Sequence, residues 1–224
     1  MLCFLLIFTL QSVILAGGKG LRLSQDMPKA LLKLKDKTLL EYQLEFINNY
    51  VDKIVLALGY KADEVINFCK TLPKDIQDKL IFSVEQEPLG TGGALKLALQ
   101  YITSEKILVF NVDDLTDLNL NEFLKKPKNT IAVTHPRLPF GLIEKQGNRY
   151  TFVEKPILKD KIVSIGWYLF YTKTLPLLPN KGNLEQELLP MLDFDIYLHK
   201  GFWFPINTEK DRIRAINELR EKYN

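Results

Sequence analysis

Val13-Ile-Leu-Ala-Gly-Gly-Lys-Gly-Leu-Arg-Leu-Ser-Gln-Asp-Met-Pro-Lys-Ala-Leu-Leu32 decides how the rest of the chain is read. The apolar run Val13–Ala16 stops at Gly17, Gly18 and Gly20, and two cations follow, Arg22 and Lys29, with Pro28 immediately before the second. A buried strand that breaks into a glycine loop leaves backbone N–H groups without ladder partners. With no Cβ in the way, they can close on phosphate oxygens. Arg22 would add a bidentate fork and Lys29 a point charge. Taken alone, Gly17-Gly18 reads equally well as a strand-to-helix turn. Two other phosphate motifs fit badly. The dinucleotide fingerprint needs a third glycine where Leu23 and Ser24 stand, and a P-loop needs Ser or Thr after Gly18-Lys19, where Gly20 stands.

A chain of 224 residues can bury a large core as one domain. Its net charge of +3 is small, and Lys and Arg alternate with Asp and Glu, which argues against a nucleic-acid partner. Two cysteines, Cys3 and Cys69, offer neither a disulfide framework nor a metal spacing. A reduced, cytoplasmic location is the default. Met1–Leu10 is almost wholly apolar, lacks the basic start of a signal peptide and is too short to span a bilayer. Residues 1–11 are therefore expected to be an extension of little functional weight, such as a mis-set start would give, with an interfacial anchor as the minority reading. Residues 12–224 are expected to form one domain.

Downstream, Thr38 can cap a helix to about Asn49 whose leucines, Phe46 and Ile47 share one face. Strands follow at Lys53–Leu58, Leu80–Val84 and Ile107–Asn111. Helices are expected over Ala62–Lys70 and from the glycines at 90, 92 and 93 to about Tyr101. This alternation predicts a mostly parallel sheet with helices on both faces, and ligands at the carboxyl ends of the strands. Beyond residue 130 come short strands, at Ile131–Thr134, Gly141–Glu144, Tyr150–Glu154 and Val163–Tyr171, which predict a mixed sheet with a β-rich lobe over the site. Asn183 is expected to cap a helix to Leu192. Ile196–Leu198 and Phe202–Ile206 should close the sheet, and Thr208 should cap a last helix to about Lys222. No further C-terminal domain is expected after that helix.

Three further stretches carry chemistry. In Glu85-Gln-Glu-Pro-Leu-Gly-Thr-Gly-Gly-Ala-Leu95, small residues at a strand end would let a flat group approach backbone polar atoms; a tight turn explains the segment equally well. Val109-Phe-Asn-Val-Asp113-Asp114 sends a buried strand into paired carboxylates, the hard oxygen donors that Mg²⁺ requires. Asp114 is a candidate helper, and Asp117 a candidate cap for a helix near Leu120. Glu154-Lys155 could pair a carboxylate with hydroxyls and an ammonium with a phosphate, although such a pair is usually surface decoration. His135 and His199 have no partners at catalytic spacing and read as structural or exposed.

Together these strings resemble the sugar-phosphate nucleotidylyltransferases. The first matches Leu-Ala-Gly-Gly-x-Gly-x-Arg-Leu followed by Pro-Lys; the second matches Glu-x-Glu-Pro-Leu-Gly-Thr-Ala/Gly-Gly-Ala and looks most like the guanylyl-transferring members that act on mannose or heptose 1-phosphate. The resemblance runs from about Ser12 to the last helix. It implies a Rossmann-like α/β/α fold of the GT-A type and condensation of a nucleoside triphosphate with a sugar 1-phosphate. It further implies that Leu15, Gly17, Gly18, Gly20, Glu85, Gly90 and Thr91 meet the nucleotide. Arg22, Lys29 and Asp113 would act in catalysis, Asp113 holding Mg²⁺. Gly141, Glu154, Lys155 and Ser164 would meet the sugar phosphate. A homodimer is left open.

The departures matter as much. Leu21 replaces a hydroxyl residue, and the Arg22-to-Pro28 spacing is short, as in alditol and isoprenoid-pathway cytidylyltransferases. Val112 replaces a glycine, and Ser164 an asparagine. In Trp203-Phe-Pro-Ile-Asn-Thr208, Pro205 stands where the family's Trp-x-Asp-x-Gly-Thr has its second metal ligand, and Asn207 replaces the glycine. A cytidylyltransferase for a non-sugar phosphate such as phosphocholine, or a non-catalytic nucleotide-binding subunit, are the alternatives.

Overall fold

The computed structural model describes residues 9–20 and 26–223, with side chains to residue 218. Arg22, Leu21 and all but the last two residues of the apolar Met1–Leu10 stretch lie outside the described residues, so the expectations placed on them stay as sequence readings.

The strands, in chain order, are β1 (Gln11–Leu15), β2 (Lys33–Leu34), β3 (Lys37–Thr38), β4 (Lys53–Leu58), β5 (Leu80–Val84), β6 (Lys106–Asn111), β7 (Asp114–Thr116), β8 (Thr130–Thr134), β9 (Leu142–Gln146), β10 (Arg149–Val153), β11 (Val163–Tyr171), β12 (Asp195–Leu198) and β13 (Trp203–Pro205). The helices are α1 (Leu39–Ile47), α2 (Ala62–Cys69), α3 (Lys74–Gln77), α4 (Gly90–Ala98), α5 (Leu120–Phe123), α6 (Leu184–Glu187) and α7 (Glu209–Tyr223).

Seven strands form the central sheet in the order β12-β8-β11-β6-β1-β4-β5. β1 runs parallel to both β4 and β6, and β4 parallel to β5; β11 is antiparallel to its neighbours β6 and β8, and β12 is parallel to β8. One antiparallel strand in an otherwise parallel sheet is the mixed, mostly parallel arrangement that the strand–helix alternation predicted. Alternate residues of the inner strands feed two cores. Ile14, Leu56, Leu108 and Phe110 pack on the α1 and α2 face. Val13, Val55, Ile107 and Val109 pack on the opposite face, with Leu95 of α4 and Leu184 of α6. Burial on both sides is why these strands are continuous apolar runs rather than alternating ones.

β1 begins at Gln11, two residues before the apolar run. The Gln11 side chain is buried and bridges to the β6 approach: its Nε2 donates to Tyr101 O at 3.0 Å and its Oε1 accepts from Thr103 N at 2.6 Å and Ser104 N at 2.9 Å. α1 opens with a full capping box, in which Thr38 Oγ1 accepts from Glu41 N at 3.1 Å and Glu41 Oε2 accepts from Thr38 N at 2.7 Å.

Three local expectations are corrected. Trp203–Pro205 does not close the central sheet; it forms a separate two-stranded ribbon with Asp114–Thr116, with Pro205 opposite Asp114. The helix expected from Leu184 to Leu192 breaks after Glu187 and resumes as a 3-10 turn, Leu189–Met191, because Pro190 has no N–H to continue the ladder; the Asn183 side chain makes no cap bond. Asp117 does not cap α5. Asn119 does, accepting from Glu122 N at 3.3 Å, while Asp117 accepts from Phe202 N at 2.8 Å.

The β9–β10 hairpin is a two-stranded sheet of its own, turning at Gly147, whose φ is +62°. It leaves Phe140, Ile143, Tyr150 and Phe152 exposed.

Candidate active site

The parallel strands end on one edge, and the side chains singled out for catalysis that are described meet there. Past β1, Gly17 O accepts from Tyr60 N at 3.1 Å and Gly18 O from Lys29 N at 3.1 Å, so the loop is stitched at both ends to neighbouring turns. Gly18 is exposed, with no atom near enough to contact a Cβ, whereas Gly20 is buried. Leu15 stays in the strand and accepts from Val112 N at 3.2 Å. The loop is also clasped from outside: Asp26 accepts from the Tyr60 hydroxyl and from Lys61 Nζ at 3.2 Å, which holds its carboxyl below the usual range.

Lys29 follows Pro28 into a 3-10 turn, Lys29–Leu31, and its ammonium reaches across to the Asp113 carboxylate in a close ion pair. Both side chains are mostly sheltered, at 15% and 20% exposure. The ammonium also donates to Asn207 Oδ1 at 3.1 Å. Asn207 arrives from the far end of the chain, just past β13. Ile206 N donates to Asp113 O at 2.9 Å, which ties the two segments together. Asn207 N donates to Asp211 Oδ2 at 3.2 Å, within the cap in which Asp211 also accepts from Thr208 N at 2.8 Å.

Asp114 plays a different part from its neighbour. It is buried, and its two oxygens are taken: Oδ2 accepts from Asn111 Nδ2 at 3.0 Å and Oδ1 from Trp203 Nε1 at 2.9 Å. Burial, reinforced by the charge of Asp113, pushes its pKa up to about 7, against the opposing pull of those two donors. Its carbonyl accepts from Trp167 Nε1 at 2.9 Å and from Gln43 Nε2 at 3.1 Å, and Gln43 also reaches Val112 O at 3.1 Å. Asp114 is thus a structural pivot between these segments. Val112 is buried in the core and not directed at the cleft.

On the other side of the loop, Glu85 leaves β5 with Oε2 accepting from Leu89 N at 3.1 Å. Its other oxygen lies against Gly17 and Gly59; a Cβ at Gly59 would come within 3.0 Å of Glu85 Cδ and closer still to Oε1. The small residues of α4 serve packing. A Cβ at Gly90, whose φ is +75°, would meet Gly182 O at 2.5 Å, and Thr91 Oγ1 donates to Glu185 Oε2 at 3.0 Å and accepts from Leu184 N at 2.8 Å.

Among the residues expected at the sugar phosphate, Glu154 and Lys155 pair with each other at 3.1 Å, half-exposed, and Lys155 has a left-handed φ of +45°. Gly141 admits the Phe152 ring. Ser164 Oγ accepts from Gly166 N at 3.2 Å. None of the four bonds to the Lys29–Asp113 pair. His199 is structural as expected: its buried Nε2 lies 3.1 Å from Thr116 Oγ1 and 3.2 Å from Asp117 Oδ1.

Among the described residues no group of three His, Cys, Asp or Glu side chains is arranged to hold a metal ion. The oxygen donors that converge are the Asp113 carboxylate and the Asn207 amide. This is a sparse but hard set, compatible with Mg²⁺, which commonly takes one or two protein donors and fills the rest with phosphate and water. No described helix is long and apolar enough to cross a membrane.

A glycine turn at a switch in strand order, faced by a lysine–aspartate pair, is an arrangement suited to phosphate groups. The chain belongs to the nucleotidyl transferase family, whose model matches residues 11–188. It is 31% identical over 92% of its length to the probable mannose-1-phosphate guanylyltransferase 3 of Oryza sativa, and 32% identical over 90% to the mannose-1-phosphate guanyltransferase of Aspergillus oryzae. The chain spans 64% and 62% of those proteins' lengths. Its structure is similar to that of HddC from Yersinia pseudotuberculosis complexed with GMP-PN, with a TM-score of 0.74 and 29% identity, covering 93% of this chain and 99% of that one. A UDP-glucose pyrophosphorylase, 19% identical, shares the fold at a TM-score of 0.75, covering 96% of this chain and 99% of that one.

Proposed function

We propose that the protein is a sugar-1-phosphate guanylyltransferase, joining GTP and a sugar 1-phosphate to give a GDP-sugar and pyrophosphate. The observation that carries this is the Lys29–Asp113 pair set against the mouth of the glycine loop. An ammonium and a carboxylate a bond apart at a phosphate site are suited to neutralising charge on transferring groups, and among the described residues no protein nucleophile with its base stands beside them.

In this reading the sugar phosphate oxygen attacks the α-phosphorus in line, a new P–O bond forms, and the bond to the β-phosphate oxygen breaks as pyrophosphate leaves. Lys29 bridges the phosphates and Arg22 neutralises the leaving group. Asp113 would hold Mg²⁺, whose charge would offset that building on the phosphates. Glu154 and Lys155 take the sugar hydroxyls and its phosphate. The work is positioning and electrostatics. Glu85 supports guanine in particular. Guanine alone presents two adjacent donors, N1–H and N2–H₂, to a carboxylate, while uracil and thymine present one donor between two carbonyls that a carboxylate repels. The names of the similar proteins point to the same base.

Pyrophosphate release, measured with Mg²⁺ over four nucleoside triphosphates and a panel of sugar 1-phosphates, tests this. Release with GTP and mannose or heptose 1-phosphate is the expected result. Silence across the grid from protein that binds GTP in a thermal-shift assay would overturn it in favour of a binding subunit.

A further inference from the structure

We propose that Asn207 is the second protein ligand of a divalent cation at this site, its amide oxygen acting with the Asp113 carboxylate. The inference rests on the nucleotidyl-transfer reading for its purpose, but its evidence is geometric. Pro205, opposite Asp114 in the β7–β13 ribbon, has no donor to give. Asp114 has both oxygens committed, to Asn111 and Trp203. Two residues beyond Pro205, the chain turns into the α7 cap and brings Asn207 Oδ1 onto the cation that Asp113 already holds, the Lys29 ammonium at 3.1 Å.

Two oxygens from different segments therefore converge on a single positive charge. They are fixed relative to each other by the Ile206-to-Asp113 backbone bond of 2.9 Å and by the Asp211 cap on Asn207 N. An amide oxygen is a hard donor of the kind Mg²⁺ and Mn²⁺ accept. It brings no charge, so Asp113 supplies the one full negative charge of these three groups and Lys29 offsets it; the site should be weaker than a two-carboxylate one, with affinity tunable at residue 207.

Mn²⁺ alone is the probe. Free Mn²⁺ is read by electron paramagnetic resonance in titrations of the full chain, without nucleotide. Asn207 is exposed, so substitution should leave the fold intact, and melting temperature checks this. Asn207→Ala should weaken Mn²⁺ binding about tenfold, and Asn207→Asp should strengthen it by a similar factor. Mn²⁺ affinity of Asn207→Ala within twofold of wild type overturns the assignment and leaves Asn207 as a positioning contact for Lys29. Because the readout is metal occupancy, a chain that releases no pyrophosphate yet loses Mn²⁺ affinity in Asn207→Ala would keep this inference while sinking the transfer reading.

Discussion

Replacing Glu85 by Gln should change which base the protein prefers, and the structure sets the size of the effect. Glu85 is held in place twice: its backbone N–H donates to Leu58 O at 2.9 Å, and Oε2 accepts from Leu89 N at 3.1 Å. Oε1 lies in the space that Gly17 and Gly59 keep clear and, on the proposed reading, meets the base. A hydrogen bond to a charged acceptor is worth about 1.5–3 kcal/mol, or roughly 10- to 150-fold in an equilibrium constant. Gln keeps the shape. Its one carbonyl oxygen stays with the Leu89 N–H, and its NH₂ then faces guanine's donors instead of an acceptor. Glu85→Gln should therefore lower kcat/KM for GTP by about 10- to 100-fold and raise that for UTP, whose carbonyls can accept from the new NH₂. The assay is pyrophosphate release at subsaturating nucleotide across all four triphosphates, with sugar 1-phosphate fixed. A GTP preference preserved to within threefold would refute base reading by Glu85.

Three other outcomes follow from the same geometry. Lys29→Ala should reduce turnover by at least ~100-fold with unchanged circular dichroism, since it removes the cation at the phosphates but no core atom; turnover near wild type would remove Lys29 from the chemistry. Gly166→Ala places a Cβ within 2.8 Å of Asp114 Cγ at a φ of +74°. It should cost about 2–4 kcal/mol in urea unfolding, and a loss below ~0.5 kcal/mol would show that the Asp114 pivot yields easily. Cys69 is buried, and burial pushes its thiol pKa from 9.0 up to about 12. The native thiol should resist iodoacetamide at pH 8 until denaturant is added. Between pH 9 and 12 the unfolded thiol ionises while the folded one stays protonated. This residue therefore lowers stability with rising pH by up to about 1.4 kcal/mol per unit, an effect that Cys69→Ala should remove.

Much of this molecule was legible in its sequence because the signals were physical. β4 and β11 fall on the residues their apolar runs marked, since a strand buried on both faces has to be apolar throughout, and the half-buried edge strand β5 was marked by its Leu-Ile-Phe run. The α1 cap was legible because Thr38, a good N-cap residue, precedes the apolar face of the helix. What escaped was tertiary. Gln43 reads as one polar residue in a helix, yet it fixes the loop after β6 through two carbonyls 69 and 71 residues away. Gly59 reads as a strand-end glycine, and only its proximity to Glu85 shows why no side chain fits there. The glycines of α4 suggested open backbone, and the sequence did not show that they also admit the chain around Gly182 and Asn183. Arg22 was as legible as Lys29, but it lies outside the described residues.

The adjacent aspartates show where letters stop carrying information. Asp113 and Asp114 have the same chemistry and follow the same strand, and the sequence offered both to a cation. Their fates diverge because Asp113 lies in the turn after β6 while Asp114 already belongs to β7. Asp113 is left facing Lys29. Asp114 is turned into the space bounded by Asn111, Trp203 and the bare backbone of Gly166, where its charge is expensive and its two oxygens are consumed. Trp203 and Pro205 belong to the strand that pairs with β7, so the ribbon that sequesters Asp114 also carries the proline. A carboxylate at position 205 would have stood opposite Asp114 and added a third acid to two that already repel. The neutral pair of Pro205 and Asn207 avoids that repulsion and still delivers an oxygen to the Lys29–Asp113 pair. On this argument, Pro205→Asp should raise the pKa of Asp114 further and destabilise the fold at neutral pH, whatever it does for metal affinity. Urea midpoints at pH 5 and pH 8 separate the two effects. A Pro205→Asp chain as stable as wild type at both pH values would show that the ribbon has room for a third charge.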